Sequence, residues 1–167
     1  MGLRTMKRRR NENKTDYKLR LSLLKSGIPR IVVRKTNKYF ILQVVESNEA
    51  QDRIIMSVNS KELLKNGWNE KLKGSLKSIP AGYLAGFLLA KRIKEKKMEK
   101  KKFIIDLGMA RTLHGSRVFS VVKGLKDGGL NFSFDEKASP SRERLNGEHL
   151  KPELKNIVEK IKSKLIK

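Results

Sequence analysis

Three short runs rich in β-branched and aromatic residues stand close together in the first third of the chain, and they constrain its fold more than any other feature. Arg30–Arg34 carries Ile31, Val32 and Val33. Tyr39–Glu46 is aromatic and β-branched, and Arg53–Val58 places Ile54, Met56 and Val58 at alternate positions, predicted to face inward. Lys35-Thr36-Asn37-Lys38 is a polar link of hairpin length, and Asn48 to Asp52 reads as a second turn. The three runs therefore predict an antiparallel meander. Such a sheet is stable only with a partner for its apolar face, and the remaining sequence supplies helices.

Thr15–Lys25 reads as a helix capped by Thr15 or Asn13, with Leu19, Leu23 and Leu24 inward and Gly27 and Pro29 ending it. Ser60 is placed to cap a short helix with Glu62 in its first turn and Gly67 past its end. Asn66 to Ser78 is a basic loop around Trp68. Pro80 opens a long helix to about Lys97, with Leu84, Leu88 and Ile93 near one face beside Ala81 and Ala85. Gly82 and Gly86 on it predict a close approach to the sheet. Phe103–Leu107 is a short buried strand ended by Gly108, and Arg111–Ser116 is a loop. In the following helix Val118, Val121, Val122 and Leu125 keep the i, i+3, i+4, i+7 spacing, and Gly128-Gly129 closes it. Asn131–Leu150 reads as loop. Pro152 begins an amphipathic helix with Leu154, Ile157, Val158, Ile161 and Leu165 on one face and a basic opposite face. Its apolar stripe suits either the chain's own body or a neighbouring protein.

This order predicts an α/β or α+β sandwich, a mixed, mainly antiparallel sheet flanked by helices. The organisation expected is a basic arm over residues 1–13, an α/β core over 14–130, a loop-rich extension over 131–150 and a C-terminal amphipathic helix over 151–167.

Forty Lys and Arg stand against 17 Asp and Glu, a formal net charge of +23, while 38% apolar residues suffice for a core. Such charge repels itself in the free protein and calls for a polyanionic partner. A membrane is disfavoured: the most apolar stretch, Ala81–Ala90, is far shorter than the ~20 residues a spanning helix needs. No apolar run follows Met1–Arg10, so no signal peptide is expected. The absence of Cys removes disulfides, thiolate zinc sites and cysteine nucleophiles. The cations cluster. Lys7-Arg8-Arg9-Arg10, with Arg4, reads as a disordered arm that orders on phosphates. Lys91–Lys102 holds eight basic and two acidic residues, more than a helix C-terminus alone calls for.

Catalysis finds little support. A meander followed by helix and strand suits a ribonuclease H arrangement, but two-metal chemistry needs converging carboxylates. The strand Arg30–Arg34 has none, which leaves Asp106, better suited to holding a loop or an arginine. His114 and His149 lack metal-ligand neighbours, and no phosphate-loop or dinucleotide fingerprint occurs. RNA contacts fare better. The helix near Ser116 presents free N–H groups and a positive dipole end, to which Arg111 and Arg117 add full charges. The tip Arg34-Lys35-Thr36-Asn37-Lys38-Tyr39 offers cations, an amide and an aromatic ring able to stack on an unpaired base.

Several motifs in order resemble one family. They are Arg8-Arg9-Arg10, Lys14-Thr15-Asp16-Tyr17 with Arg20, Leu23-Leu24-Lys25-Ser26-Gly27-x-Pro29-Arg30, and Val32-Val33-Arg34-Lys35-x-Asn37. Further along stand Ser60-Lys61-Glu62-Leu63, Gly67-Trp68, Pro80-Ala81-x-Tyr83-Leu84, Asp106-Leu107-Gly108, Gly115-Ser116-Arg117-Val118-Phe119 and Arg144-x-x-Gly147-Glu148-His149. Together they are similar to the archaeal and eukaryotic form of universal large-subunit ribosomal protein eighteen. The run Met109–His114 and the strongly basic Asn66–Ser78 loop depart from that pattern.

The resemblance implies a three-layer α/β sandwich with a basic arm. It implies a cytoplasmic ribosomal protein, not an enzyme, without cofactor, metal, membrane or homo-oligomeric partner. Its partners would be 5S ribosomal RNA in the central protuberance, the large ribosomal RNA, and neighbours including universal protein five. RNA binding carries over to Arg8, Arg9, Arg10, Lys14, Thr15, Tyr17, Arg20, Arg34, Lys35, Asn37, Lys38, Ser116 and Arg117. The competing readings are a free-standing RNA-binding protein or RNA chaperone, and, less favoured, a nuclease.

Overall fold

Along the meander, Ile31, Val33, Phe40, Leu42, Val44, Met56 and Val58 are buried and turn one sheet face into the core. The computed structural model describes residues 6–150 and 152–166. The strands are β1 (Arg30–Lys35), β2 (Phe40–Asn48), β3 (Gln51–Asn59) and β4 (Ile104–Asp106), in the order β3-β2-β1-β4. The first three form the expected antiparallel meander, and β4 pairs parallel with β1, Arg30 opposite Ile104. The sheet is mixed, and helices pack against it as the α/β reading expects.

The β2–β3 connection is tighter than the expected turn. Only Glu49 and Ala50 separate the strands, both with positive φ, 47° and 65°. That geometry matches the right-handed twist of paired strands, but neither residue is the Gly or Asn that usually marks it. Ile54, expected inward, is 53% exposed. A bulge explains the correction. Val44 pairs with Met56 but Val45 pairs with Ile54, so Ile55 is an extra residue and alternation is broken there.

Two helices cover the apolar face: α3 (Ile79–Glu95), capped by Ser78, and α4 (Arg117–Asp127). Every residue from Ile79 to Ala90 is buried. The close approach predicted at Gly82 and Gly86 is chiefly to α4, not to the sheet. A Cβ on Gly86 would overlap the Val121 carbonyl oxygen, and one on Gly124 the Tyr83 carbonyl oxygen. Only at Gly82 does the sheet intervene, with a Phe40 ring carbon 3.1 Å from the Cβ position.

Several local expectations shift. Asn59, not Ser60, caps the 3₁₀ turn Ser60–Leu64, in a reciprocal box with Glu62. Ser60 is buried instead, its Oγ accepting from Phe40 N (3.0 Å) and donating to Leu76 O (2.9 Å). The Asn66–Ser78 segment contains a 3₁₀ turn, Glu70–Ser75. The 131–150 segment is not all loop: it holds a 3₁₀ turn, Glu136–Ala138, and a short helix, α5 (Arg142–Asn146), and buries Phe132 and Leu145. The amphipathic helix, α6 (Pro152–Ile166), buries Leu154, Val158, Ile161 and Leu165 on the chain's own body, against α3 and α5. That settles the choice left open by its sequence.

The N-terminal segment is the least buried part. Met1–Thr5, with Arg4, lie outside the described residues. The arm is not wholly irregular: α1 (Arg8–Asn11) is one helical turn without a buried residue. The helix α2 (Tyr17–Lys25) is capped by Asp16, not Thr15 or Asn13, and also buries none of its residues. Leu19, expected inward, is 41% exposed.

Candidate nucleic-acid interface

Alternation along β1 sends Ile31 and Val33 into the core and Arg30 and Arg34 to the opposite face. There a ladder of charges replaces an apolar layer. Arg30, 3% exposed, donates through Nη2 to Asp52 Oδ1 (2.7 Å) and Ser47 Oγ (2.9 Å), and through Nη1 to Asp106 Oδ2 (3.5 Å). Arg34 donates to Asp106 Oδ1 (3.0 Å) and to the Asp106 carbonyl (2.8 Å), while Arg20 reaches across from α2 to Asp52 Oδ2 (3.0 Å). The order is Arg20, Asp52, Arg30, Asp106, Arg34. Asp106 also accepts from Gly108 N at 2.8 Å, so it holds both a loop and arginines. Burial works to raise the Asp52 carboxyl, but the Ser47 hydroxyl and the guanidiniums of Arg30 and Arg20 outweigh it and hold it below its ordinary value.

Beside the ladder lie two adjoining clefts that share Lys14, Arg34, Gly108 and Met109. One continues past Arg9, Thr15, Leu19 and Arg20. The other, about 630 Å³, continues past Lys35, Arg111, Leu113, Ser116, Arg117 and Arg144. Together they form a cationic trough between the N-terminal segment, the sheet edge and the start of α4. The fold thus gathers Arg9, Lys14, Thr15, Arg20, Arg34, Lys35, Ser116 and Arg117 from the expected set. Arg8, Arg10, Tyr17, Asn37 and Lys38 do not line it. Arg144, outside the expected contact set, does. Its only sequence signal is its place before Gly147, and nothing in spacing sets it beside Gly115, yet its Nη1 lies 3.5 Å from where a Gly115 Cβ would be.

Short contacts position these groups. Arg9 Nε donates to Thr15 Oγ1 at 3.0 Å, and the Arg9 carbonyl accepts from Lys14 N (2.9 Å) and Thr15 N (3.2 Å), folding the arm back on itself. The Lys7 ammonium lies 4.6 Å from the Tyr17 ring centre. At the hairpin, Thr36 Oγ1 accepts from Tyr39 N (3.0 Å) and donates to its carbonyl (2.7 Å), leaving Asn37 and Lys38 exposed at the tip. Tyr39 is less available for stacking than its sequence context predicts, because Lys61 Nζ sits 4.3 Å from its ring centre. Ser116 is the N-cap of α4, but its Oγ makes no capping bond and is buried without a partner among the described residues.

Among the described residues no three or more His, Cys, Asp or Glu side chains are grouped to hold a metal ion. Nor is any helix there long and apolar enough to cross a membrane.

Residues 3–103 match the family described as ribosomal large subunit proteins 60S L5 and 50S L18. The chain is 42% identical over 143 residues to the large ribosomal subunit protein uL18 of Methanoregula boonei, covering 86% of this chain and 79% of that one. It is 43% identical over 143 residues to the protein of the same name from Methanoculleus marisnigri, with 86% and 78% covered. The Caldivirga maquilingensis protein of that name is 42% identical over 144 residues, with 86% and 67% covered. A family match over more than half of the chain, with identity of this order across most of both chains, places the sequence: the chain belongs to the family of ribosomal large subunit proteins 60S L5 and 50S L18, whose members are structural proteins and not enzymes.

Proposed function

We propose that the chain is a structural constituent of the cytoplasmic large ribosomal subunit that binds 5S ribosomal RNA and attaches it to the large ribosomal RNA in the central protuberance. Universal protein five is among its neighbours there. The observation that carries RNA binding is the trough: nine cationic side chains line its two clefts, against the carboxylates of Asp16 and Asp106. Both carboxylates are already engaged, Asp16 by the start of α2 and Asp106 by the ladder.

The arm over residues 1–13 acts as one unit, laying Arg8, Arg9 and Arg10 along a phosphate backbone beside Lys14, Thr15, Tyr17 and Arg20. Arg34, Lys35, Asn37 and Lys38 extend the contact along the hairpin, and Ser116 and Arg117 along the start of α4. Each phosphate neutralised releases counterions, which steepens the fall of affinity with salt. Because such contacts are blind to sequence, preference for one RNA comes from its preformed shape and its unpaired segments.

The test is a titration of the full chain against 5S ribosomal RNA and against transfer RNA at several salt concentrations. A 5S preference that survives physiological salt supports the reading. Equal binding to both, collapsing together as salt rises, replaces it with a free-standing RNA-binding protein.

A further inference from the structure

Arg34 is held flat. A Cβ added to Gly108 would lie 2.8 Å from the Arg34 Cζ and 3.0 and 3.1 Å from its two terminal nitrogens. A point directly above the central carbon of a planar guanidinium at that height, with C–N bonds of about 1.33 Å, stands about 3.1 Å from the nitrogens. The Gly108 backbone therefore packs face-on against one side of the guanidinium. Two hydrogen bonds, to the Asp106 carbonyl at 2.8 Å and to Asp106 Oδ1 at 3.0 Å, fix the plane. With a left-handed φ of 60° and no side chain, Gly108 is the residue that permits this seat. The Arg34 side chain remains 43% exposed and lines both clefts.

The trough is also apolar in a way that a plain phosphate track is not. Seven large hydrophobic side chains stand exposed among the described residues, and three of them, Leu19, Met109 and Leu113, line these two clefts. Met109 is 53% and Leu113 63% exposed. Apolar surface left open in a cleft that Arg111, Arg117 and Arg144 also line suits a ligand that carries both an apolar face and a negative charge. A nucleotide with its base out of the helical stack has both.

We propose that the trough holds an unpaired nucleotide, its base stacked on the open face of the Arg34 guanidinium and packed against Met109 and Leu113, its phosphate met by Arg111, Arg117 and Arg144. This rests on the RNA-binding reading and adds what that reading lacks, the form of the RNA: a single-stranded loop or bulge, not the backbone of a duplex. Arginine planes and apolar side chains recognise the faces of unstacked bases, whereas paired bases hide those faces.

The test measures the affinity of the full chain for a ten-nucleotide single-stranded RNA and for a blunt RNA duplex of equal phosphate count, at one salt concentration. The wild-type chain is expected to favour the single strand. Arg34→Lys keeps the charge and removes the plane, and should lower the ratio of single-strand to duplex affinity by about five- to tenfold. The double variant Met109→Ser, Leu113→Ser changes only exposed side chains, so its fold is safe, and it should move the ratio the same way. A ratio unchanged in both variants overturns the proposal, as does a wild-type chain that binds duplex as tightly as single strand. Failure of the 5S assignment is read separately: a chain that loses its 5S preference against transfer RNA but keeps this variant-sensitive ratio retains the nucleotide site without the assigned RNA.

Discussion

Gly86 on α3 lies directly beneath the carbonyl oxygen of Val121 on α4, so close that a side-chain carbon would overlap it. Gly86→Ala would gain helix propensity, about 1 kcal/mol. It would force apart a backbone carbonyl that has no rotamer with which to yield, and overpacking of this kind costs about 1–3 kcal/mol. The second effect wins. Net destabilisation of up to about 2 kcal/mol is expected in urea denaturation.

Asp106 joins Arg30 and Arg34, and Arg30 is nearly sealed from solvent. Asp106→Ala leaves a buried guanidinium with Asp52 as its remaining carboxylate. Removing one partner of a buried pair costs about 3–5 kcal/mol, and since Arg34 is 43% exposed, a loss near the lower end is expected by chemical denaturation. Incubation of either chain with RNA and magnesium should show no cleavage. Cleavage by the wild-type chain that disappears in the variant would restore the nuclease reading.

The ladder also sets the acid limit of stability. Asp52 has a folded pKa below its ordinary value. Its contribution is therefore complete above the unfolded value, near pH 4, and is lost as pH falls through the lowered one. Asp52→Asn should flatten the fall of melting temperature across that window. A variant whose acid limb parallels the wild type would remove Asp52 as a source of it.

Deleting Met1–Asn13 removes Arg8, Arg9 and Arg10 and, among the described residues, no buried side chain. The circular dichroism of the core should persist. Affinity for 5S ribosomal RNA should fall by about tenfold or more, and the slope of log affinity against log salt should become shallower. Unchanged affinity with an intact spectrum would remove the arm from the interface.

Ile161 is 2% exposed on the face of α6 that meets the body. Ile161→Ala should cost about 2–4 kcal/mol of stability, read by thermal unfolding of the free protein with no partner present. A neutral result would mean that α6 is not docked in solution.

Much of the fold is legible because the meander, α4 and α6 follow simple periodicities that burial enforces. What the sequence hides is non-local or lacks the usual signals. The β2–β3 turn uses Glu49 and Ala50 where Gly or Asn is customary, and one bulge residue sends Ile54 outward. The helix α2 has leucines at core-like spacing but lies over an ionic layer, so they gain little burial. In the candidate site, the arginine clusters are plain from composition. The ladder is not, because Arg30 meets Asp52 across 22 positions and Asp106 across 76. Arg144 likewise reaches the trough only through the packing of α5.

Because α2 is fastened to the sheet by Arg20 and Asp52 and not by sunken leucines, it is a cover that can lift without breaching the core. Its amides should exchange with deuterium at openings far smaller than global unfolding, and faster as ionic strength rises. RNA laid across the trough would then act as a clamp, slowing that exchange, so that α1 and α2 complete their folding only once they are in place on the RNA.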